Sequence, residues 1–388
     1  MGENIKLEDN IRFVIFSGAN ERAIIAVCRH FQLNKRKVSI VGIPHGDKLH
    51  LTSFRKLIDV YRKNNQLDEV DLLDSIVELA ARYPHDKLVF LPTSESINRI
   101  ILNKRKDFNS AGLNIYLVSK NVYESVSDKE KFLELADQFS ILVPPLLENI
   151  QTNNLPIVAK PRAEFSLKTG KKIYPELIFT QQHLDTFLLS QSAEDYFYQK
   201  YLDGKSYYYL LHFPEHDAPF IIYQQNLLQQ ENGKSIIMAE RCDCPDEDFE
   251  KKIVNALRFI GFFGLIMIEM MKVEDKSYLI EANPRLWGPF ELAIKSGLLP
   301  EFILNSKSLG SVAINGNTKY LWLGGYSSTL CDGGTPRRYL NKELSLLKIL
   351  PFFVCSDIYL RKDTIGLFFY ELYDSIKNWF KKRFIEKQ

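Results

Sequence analysis

The chain has 388 residues, 45% of them hydrophobic and 25% charged, with a formal net charge of +2. These are proportions of a folded globular protein long enough for two or three domains, and the near-neutral balance gives no case for nucleic-acid binding. No run reaches the roughly 18 apolar residues of a membrane span, and the polar opening MGENIKLEDN does not read as a signal peptide. Five scattered cysteines argue for a reducing, cytoplasmic setting, and the Cys242–Cys244 spacing is too short for a zinc knuckle.

In chain order, Ile11–Phe16 reads as a buried strand, Ser17–Asn20 as a turn and Glu21–Phe31 as a helix. Val38–Ile43 and Lys87–Leu91 are further strands, the latter running through Pro92–Ser96 into helix. Strands alternating with helices predict a parallel sheet, whose ligands sit off the carboxyl ends of its strands. Ser17–Asn20 and Thr93–Glu95 occupy such ends, either as ligand contacts or as plain helix caps. The glycine-rich dinucleotide fingerprint is missing, so no nicotinamide cofactor is expected.

Tyr116–Val118 is predicted as a short strand. Ser127 and Glu130 have the spacing of a capping box for a helix over Asp128–Phe139, with Lys129 in its first turn. In Leu155–Arg162, Lys160 follows Ile157-Val158-Ala159, where a charge is costly unless it meets an anion. The next segment, AEFSLKTGKK over 163–172, holds a single glycine, with Ser166, Lys168, Thr169 and Lys171 as side-chain donors. Tyr196–Leu202, Tyr207–Phe213 and Phe220–Leu227 read as strands, Glu231–Lys234 as a hairpin turn and Asp246–Ile260 as a helix.

Gly264–Gly288 carries the most specific signal. Leu265–Val273 and Ser277–Asn283 are two strands joined by Glu274-Asp275-Lys276. With Asp275 at the tip, Glu269 lies across from Glu281, and like charges facing on a sheet repel unless a cation sits between them. Asn283, two residues on, shares that face. Two carboxylates and an amide oxygen form a hard ligand set suited to Mg²⁺. The alternative is a solvated surface hairpin, because a one-residue slip separates the pair. Arg285, held by Pro284, is placed for an anionic group.

Glu269, eleven residues, then Glu281-Ala282-Asn283-Pro284-Arg285 resembles the metal-binding end of the ATP-grasp superfamily, which includes biotin carboxylase, carbamoyl phosphate synthase and D-alanine–D-alanine ligase. The Asp128-Lys129 pair, the Lys160 strand and Tyr196–Leu202 extend the resemblance across residues 10–305. It implies a mixed α/β and α+β architecture: an N-terminal parallel-sheet domain (1–120), the two ATP-grasp lobes (121–197 and 198–309) and a C-terminal extension (310–388). It further implies that Glu269, Glu281 and Asn283 hold Mg²⁺ (or Mn²⁺), that Lys129 and Lys160 meet the ATP phosphates, and that Lys160 and Arg285 are catalytic, Arg285 on the carboxylate or acyl phosphate. The backbone of Lys200 and Leu202 would read the adenine edge beside Gln199, and Ser206 stands near the position of the ribose contact. Three features depart from the pattern: the glycine-poor loop, Gln199 where the family often has Glu, and Ser206 where it usually has an acid.

The activity so implied is an ATP-dependent ligase joining a small-molecule carboxylate to an amine through an acyl phosphate. A phosphotransferase on the same fold and a non-catalytic nucleotide-binding partner protein are the alternatives. Residues 310–388 match no motif. Within them, Ile365, Phe368, Phe369, Leu372, Ile376, Trp379 and Phe380 have helical spacing, with lysines crowding the helix end. Such a helix suits either weak contact with an anionic membrane surface or docking on its own domain. Homo-oligomerisation is left open.

Overall fold

In a computed structural model, residues 9–148, 150, 154–162, 166, 168–171, 173–304, 318–339 and 350–385 are described. Three sheets organise them. The first is a five-stranded parallel sheet of β1 (Ile11–Phe16), β2 (Lys37–Gly42), β3 (Ile58–Tyr61), β4 (Lys87–Phe90) and β5 (Leu113–Asn114), in the order β3-β2-β1-β4-β5. Strand β1 is apolar on both faces because helices cover both, among them α1 (Glu21–Leu33), α2 (Glu69–Arg82), α3 (Glu95–Asn103) and α4 (Arg105–Ser110). The chain leaves β1 toward β2 and returns on the other side at β4, so the topological switch point lies between β1 and β4.

Two departures from the sequence reading have local causes. Residues 116–118 do not form a strand, because Arg105 donates to the carbonyls of Ile115, Leu117 and Val118 and so occupies the groups a strand would pair. Ser127 is not an N-cap either. It ends α5 (Lys120–Ser127), and its hydroxyl accepts from Arg99 at 3.0 Å. The cap of α6 (Lys129–Gln138) is Asp128, whose carboxylate accepts from the amides of Glu130 and Lys131.

A three-stranded antiparallel sheet follows, β7-β6-β8, from β6 (Ile157–Pro161), β7 (Glu176–Ile178) and β8 (Tyr196–Lys200), with α7 (Gln181–Ser190) on it. The large antiparallel sheet runs β13-β12-β9-β10-β11-β14. Its strands are β9 (Lys205–Phe213), β10 (Phe220–Gln229), β11 (Ile236–Cys242), β12 (Gly264–Val273), β13 (Lys276–Asn283) and β14 (Lys319–Leu321), with α8 (Glu247–Phe259) between β11 and β12. Between the last two sheets the chain passes so close to β12 that a Cβ on Gly204 would sit 2.3 Å from the Lys272 carbonyl oxygen, which only glycine permits.

Helices α9 (Phe290–Lys295) and α10 (Leu323–Cys331), the short β15 (Arg337–Arg338) on β10, and a closing helix α11 (Ile365–Ile385) complete the described chain. One face of α11 is docked: Leu367 and Phe368 are buried in the core, and Glu371 accepts from the Trp322 indole at 2.8 Å and pairs with Lys48. Among the described residues no helix is long and apolar enough to cross a membrane.

The parallel sheet meets the β13 end directly. The Leu286 amide donates to the Pro92 carbonyl at 2.8 Å, and Asn20 Nδ2 donates to the carbonyls of Thr93 and Leu286. The switch-point loops of the first sheet therefore border the segment that carries Arg285.

Candidate functional site

The β12–β13 hairpin turns on two residues, Glu274 and Asp275, with Val273 already paired to Lys276. Glu274 takes a left-handed conformation, φ 52°. Lys276 is thus in the strand and not in the turn. Counting outward from this tighter turn would set Glu269 against Ile280. A β-bulge at Ile280 adds one residue, and Glu269 faces Glu281.

The residue left over by the bulge has a use. Lys160, on the central strand of the three-stranded sheet, donates Nζ to the Ile280 carbonyl at 3.0 Å. Lys129, in the first turn of α6, donates Nζ to the Pro161 carbonyl at 2.7 Å. Burial pushes the Lys160 ammonium down to about 8; Glu281 pulls it up, Lys129 pushes it further down, and Glu269 adds a weaker pull up. Burial also lowers Lys129, against the opposing pull of Glu281 and Glu95.

Glu269 is 7% exposed. Burial and the facing Glu281 push its carboxyl well above the ordinary range, while Lys160, Ser206 and Arg337 pull it back. Asn283 Nδ2 donates to Glu281 Oε1 at 2.7 Å, and Asn283 Oδ1 accepts from Arg285 at 2.9 Å. The second arm of Arg285 reaches the Leu286 carbonyl. Glu269, Glu281, Asn283, Lys129 and Lys160 are thereby brought together, and Arg285 closes the row. Glu95, Lys129, Lys160, Gln199, Glu281 and Asn283 line one cavity of about 60 Å³ between the two antiparallel sheets and α3.

Gln199 is buried with its Nε2 on the Pro144 carbonyl at 3.2 Å, and its Oε1 is buried without a partner among the described residues. Lys200 has an exposed side chain, and its amide donates to the Pro145 carbonyl. The Leu202 carbonyl accepts from Arg337 at 2.7 Å. Ser206 is a correction to the sequence reading. It is fully buried beneath the acid pair, donating to Glu269 Oε1 at 3.2 Å and accepting from Asn226 Nδ2 at 2.7 Å, so its hydroxyl positions Glu269 and does not face a ribose. Gln224 in turn donates to Asn226 Oδ1 at 2.7 Å. In segment 163–172, residues 163–165, 167 and 172 lie outside the described residues; Ser166 Oγ accepts from the amides of Lys168 and Thr169.

Sequence reasoning missed Asn226, Gln224 and Arg337. Gln224 and Asn226 alternate on one face of a strand, and such a polar pair amid Ile, Tyr and Leu is a legible sign of a buried network. Arg337 carries no local signal. It comes from the unplaced tail, lies near the rings of Tyr201 and Tyr339, and reaches the Leu202 carbonyl just past β8 only through the fold.

Whether a divalent cation fits is decided by the donor set. Among the described residues no group of three or more His, Cys, Asp and Glu side chains forms a metal cluster. Two carboxylates and one amide, all oxygen donors, are what Mg²⁺ accepts when phosphates complete its shell. The acid pair is buried and facing, with lysine charge as partial compensation, so the residues fit the ion.

No protein-family model matches the chain, and no curated protein does. Solved structures do. A biotin carboxylase from Campylobacter jejuni, in a complex with β,γ-ATP, superposes with a TM-score of 0.59 at 15% identity, covering 81% of this chain and 76% of that one. The biotin carboxylase domain of a Hydrogenobacter thermophilus 2-oxoglutarate carboxylase, solved with MgADP and bicarbonate, gives 0.54 at 14%, covering 78% and 71%. An L-amino acid ligase from Bacillus licheniformis gives 0.53 at 14%, covering 79% and 76%. At these identities the likeness is one of fold. The chain has the fold of the ATP-grasp superfamily, as the Glu269–Arg285 resemblance implied.

Proposed function

We propose that the chain is an ATP-dependent ligase that joins a small-molecule carboxylate to an amine. The observation that supports this reading is the convergence of Lys129 and Lys160 from one side, and Glu281 and Asn283 from the other, on a single cavity, with Glu269 paired to Glu281 on the neighbouring strand. The L-amino acid ligase and the nucleotide-bound carboxylases with which it shares its fold are in keeping with it.

A carboxylate is a poor electrophile, because attack adds charge to a group already anionic. Transfer of the γ-phosphoryl of ATP to the carboxylate oxygen releases ADP and leaves an acyl phosphate. An amine then attacks the carbonyl carbon, loses a proton and expels phosphate, forming an amide. The protein's part is to position and to neutralise charge. Lys129 and Lys160 exchange their carbonyl partners, Pro161 and Ile280, for phosphate oxygens, gaining charge-assisted bonds. The Gln199 Oε1, which has no partner among the described residues, accepts from the adenine amino group. Mg²⁺, when bound by Glu269, Glu281 and Asn283, supplies compensation for the phosphate charge, and Mn²⁺ suits the same set.

Asn283 and Arg285 are coupled in this reading. To offer its oxygen to a cation shared with the two glutamates, the Asn283 amide must turn over, which releases Arg285 from Oδ1. The freed guanidinium arm is then available to the carboxylate or to the acyl phosphate. An ADP-release screen with Mg²⁺ over panels of acids and amines tests the proposal. A product with the condensed mass of acid plus amine supports it. A phosphorylated acid that persists as the product would identify a phosphotransferase, and nucleotide binding without turnover a binding protein.

A further inference from the structure

Helix α11 is apolar on two faces, and the fold uses one of them. Leu367, Phe368, Glu371 and Ser375 are buried against the domain. Ile365, Phe369, Tyr373, Ile376 and Phe380 recur at steps of three and four residues and so form a second stripe on the outer side. Among the described residues this stripe is open to solvent: Phe369 is 62% exposed, Tyr373 63% and Phe380 50%. It runs for about 22 Å along the helix. At its head a Cβ on Gly366 would lie 2.7 Å from the Leu51 carbonyl oxygen, so the exposed Leu51 stands beside the first turn. A single exposed apolar side chain is ordinary, but a contiguous row of large ones marks a contact surface.

The charges around the stripe have one sign. Lys377 and Lys381 are exposed along its flank, on the side of Tyr370. Lys362, Arg55 and Lys56 are exposed near its head, where the Ser53 amide donates to the Asp363 carbonyl at 2.8 Å. The acids of the same stretch are engaged elsewhere. Asp363 pairs with Arg29, Glu371 is held in the docked face by Lys48 and Trp322, and Asp374 is half-buried, accepting from Asn378 at 3.3 Å. In the sequence that follows, Lys382, Arg383 and Lys387 outnumber the one acid, Glu386. A second copy of the chain would bring the lysines of α11 onto a stripe with no exposed acid to meet them. A bilayer of anionic lipid complements both features: its headgroups meet the lysines, and the acyl boundary below them takes the rings and isoleucines. Tyr370 and Tyr373 are amphipathic in the way that suits the headgroup level. The helix is not apolar enough to cross a membrane, so its contact is in the plane of the surface.

We propose that the outer face of α11, its Ile365–Phe380 stripe with Lys377 and Lys381, docks the protein flat on an anionic lipid surface. The proposal is independent of the ligase reading. The full chain is mixed with vesicles of phosphatidylcholine alone, or of phosphatidylcholine and phosphatidylglycerol in equal parts, and bound protein is measured by co-sedimentation. The wild type binds the mixed vesicles at least about tenfold more tightly than the neutral ones, and salt weakens that binding. F369S/F380S lowers affinity for the mixed vesicles by at least about tenfold through lost apolar burial, and K377E/K381E does so by at least about tenfold through lost charge. Both variants keep the wild-type melting temperature, because these side chains are exposed in the folded chain. A wild type that leaves the mixed vesicles unbound, or an F369S/F380S that binds them as the wild type does, overturns the proposal. So does a fall in the melting temperature of F369S/F380S, which would show the chain covering its own stripe. A wild type that is dimeric by sedimentation equilibrium and made monomeric by F369S/F380S overturns it in favour of a second copy.

Discussion

Glu269→Gln should stabilise the free protein and abolish its response to Mg·ATP. Facing residues on adjacent strands place their Cβ atoms ~5 Å apart, and at an effective dielectric constant of ~20 two charges at that distance repel by roughly 3 kcal/mol. At neutral pH the buried pair bears either that repulsion or the work of holding a proton on Glu269, and Gln removes both while keeping an oxygen for Ser206. Lys160 and Arg337 return part of the cost, so the net gain is about 1–3 kcal/mol. With an unfolding entropy of ~2.1 cal/mol/K per residue over 388 residues, each kcal/mol moves the midpoint by ~1 °C if the chain unfolds in one transition. Ligand at 100 times its dissociation constant adds about 2.7 kcal/mol to the wild type and nothing to the variant. The order of the two melting curves should therefore cross: the variant melts later without nucleotide, and the wild type equals or passes it with Mg·ATP. Glu281→Gln is the control. Glu281 is the main counter-charge of both Lys160 and Lys129, so its removal gives no gain in the free state. Differential scanning calorimetry with and without Mg·ATP reads all three. A Glu269→Gln variant that melts earlier than the wild type, or that keeps the full nucleotide shift, refutes the facing-acid argument.

Three other outcomes follow from the same geometry. Lys160→Met should weaken ATP by about 100-fold, roughly 2.7 kcal/mol, in equilibrium binding, and leave the free protein's midpoint nearly unchanged, since burial already holds the ammonium down to about 8. Ser206→Ala should raise the Mg²⁺ concentration for half-maximal ADP release by about tenfold, because the hydroxyl orients a ligand it does not replace. His212, packed on Phe302 with no partner for Nε2 among the described residues, is pushed down to about 4 by burial, against a weaker upward pull from its bond to the Phe302 backbone. Its unfolded value is ~6.5, so its contribution to stability is complete above that pH and is lost as pH falls from 6.5 through 4, amounting to roughly 3 kcal/mol. Denaturant melts at pH 7 and pH 4 should show His212→Leu losing less stability on acidification than the wild type by about that amount; equal losses would contradict it.

How much of this was legible follows the range of the interactions. Strands β1, β2 and β4 are apolar runs bounded by turns, and they read directly. Lys129 and Lys160 stand out because each lysine is local to a cap or an apolar strand. Strand β3 has four residues of mixed burial, IDVY, and carries no periodic signal. Residues 116–118 read as a strand because the competing donor, Arg105, is invisible from their own composition. Ser206 looked like a ribose contact because it follows the adenine-edge segment Lys200–Leu202; only the pairing of β9 with β12 puts it beneath Glu269. Arg337 reaches the Leu202 carbonyl from 135 residues away, a relation no local pattern holds.

The acid pair itself was reached by two displacements that cancel. A three-residue turn centred on Asp275 sets Glu269 opposite Glu281, and so does the observed two-residue turn once Ile280 bulges out. The difference matters, because a regular ladder would pair Ile280 in register. The bulge leaves it without a partner, and its carbonyl becomes the seat of Lys160. One irregularity thus sets the two acids face to face and holds the phosphate lysine within the field of both. Deleting Ile280 restores a regular ladder in which Glu269 still faces Glu281, and withdraws only the lysine's acceptor. It should therefore reduce the Mg·ATP-dependent thermal shift without abolishing it, unlike Glu269→Gln, while circular dichroism still reports a folded sheet. A deletion variant that binds Mg·ATP as the wild type does would show that the bulged carbonyl is dispensable for seating Lys160.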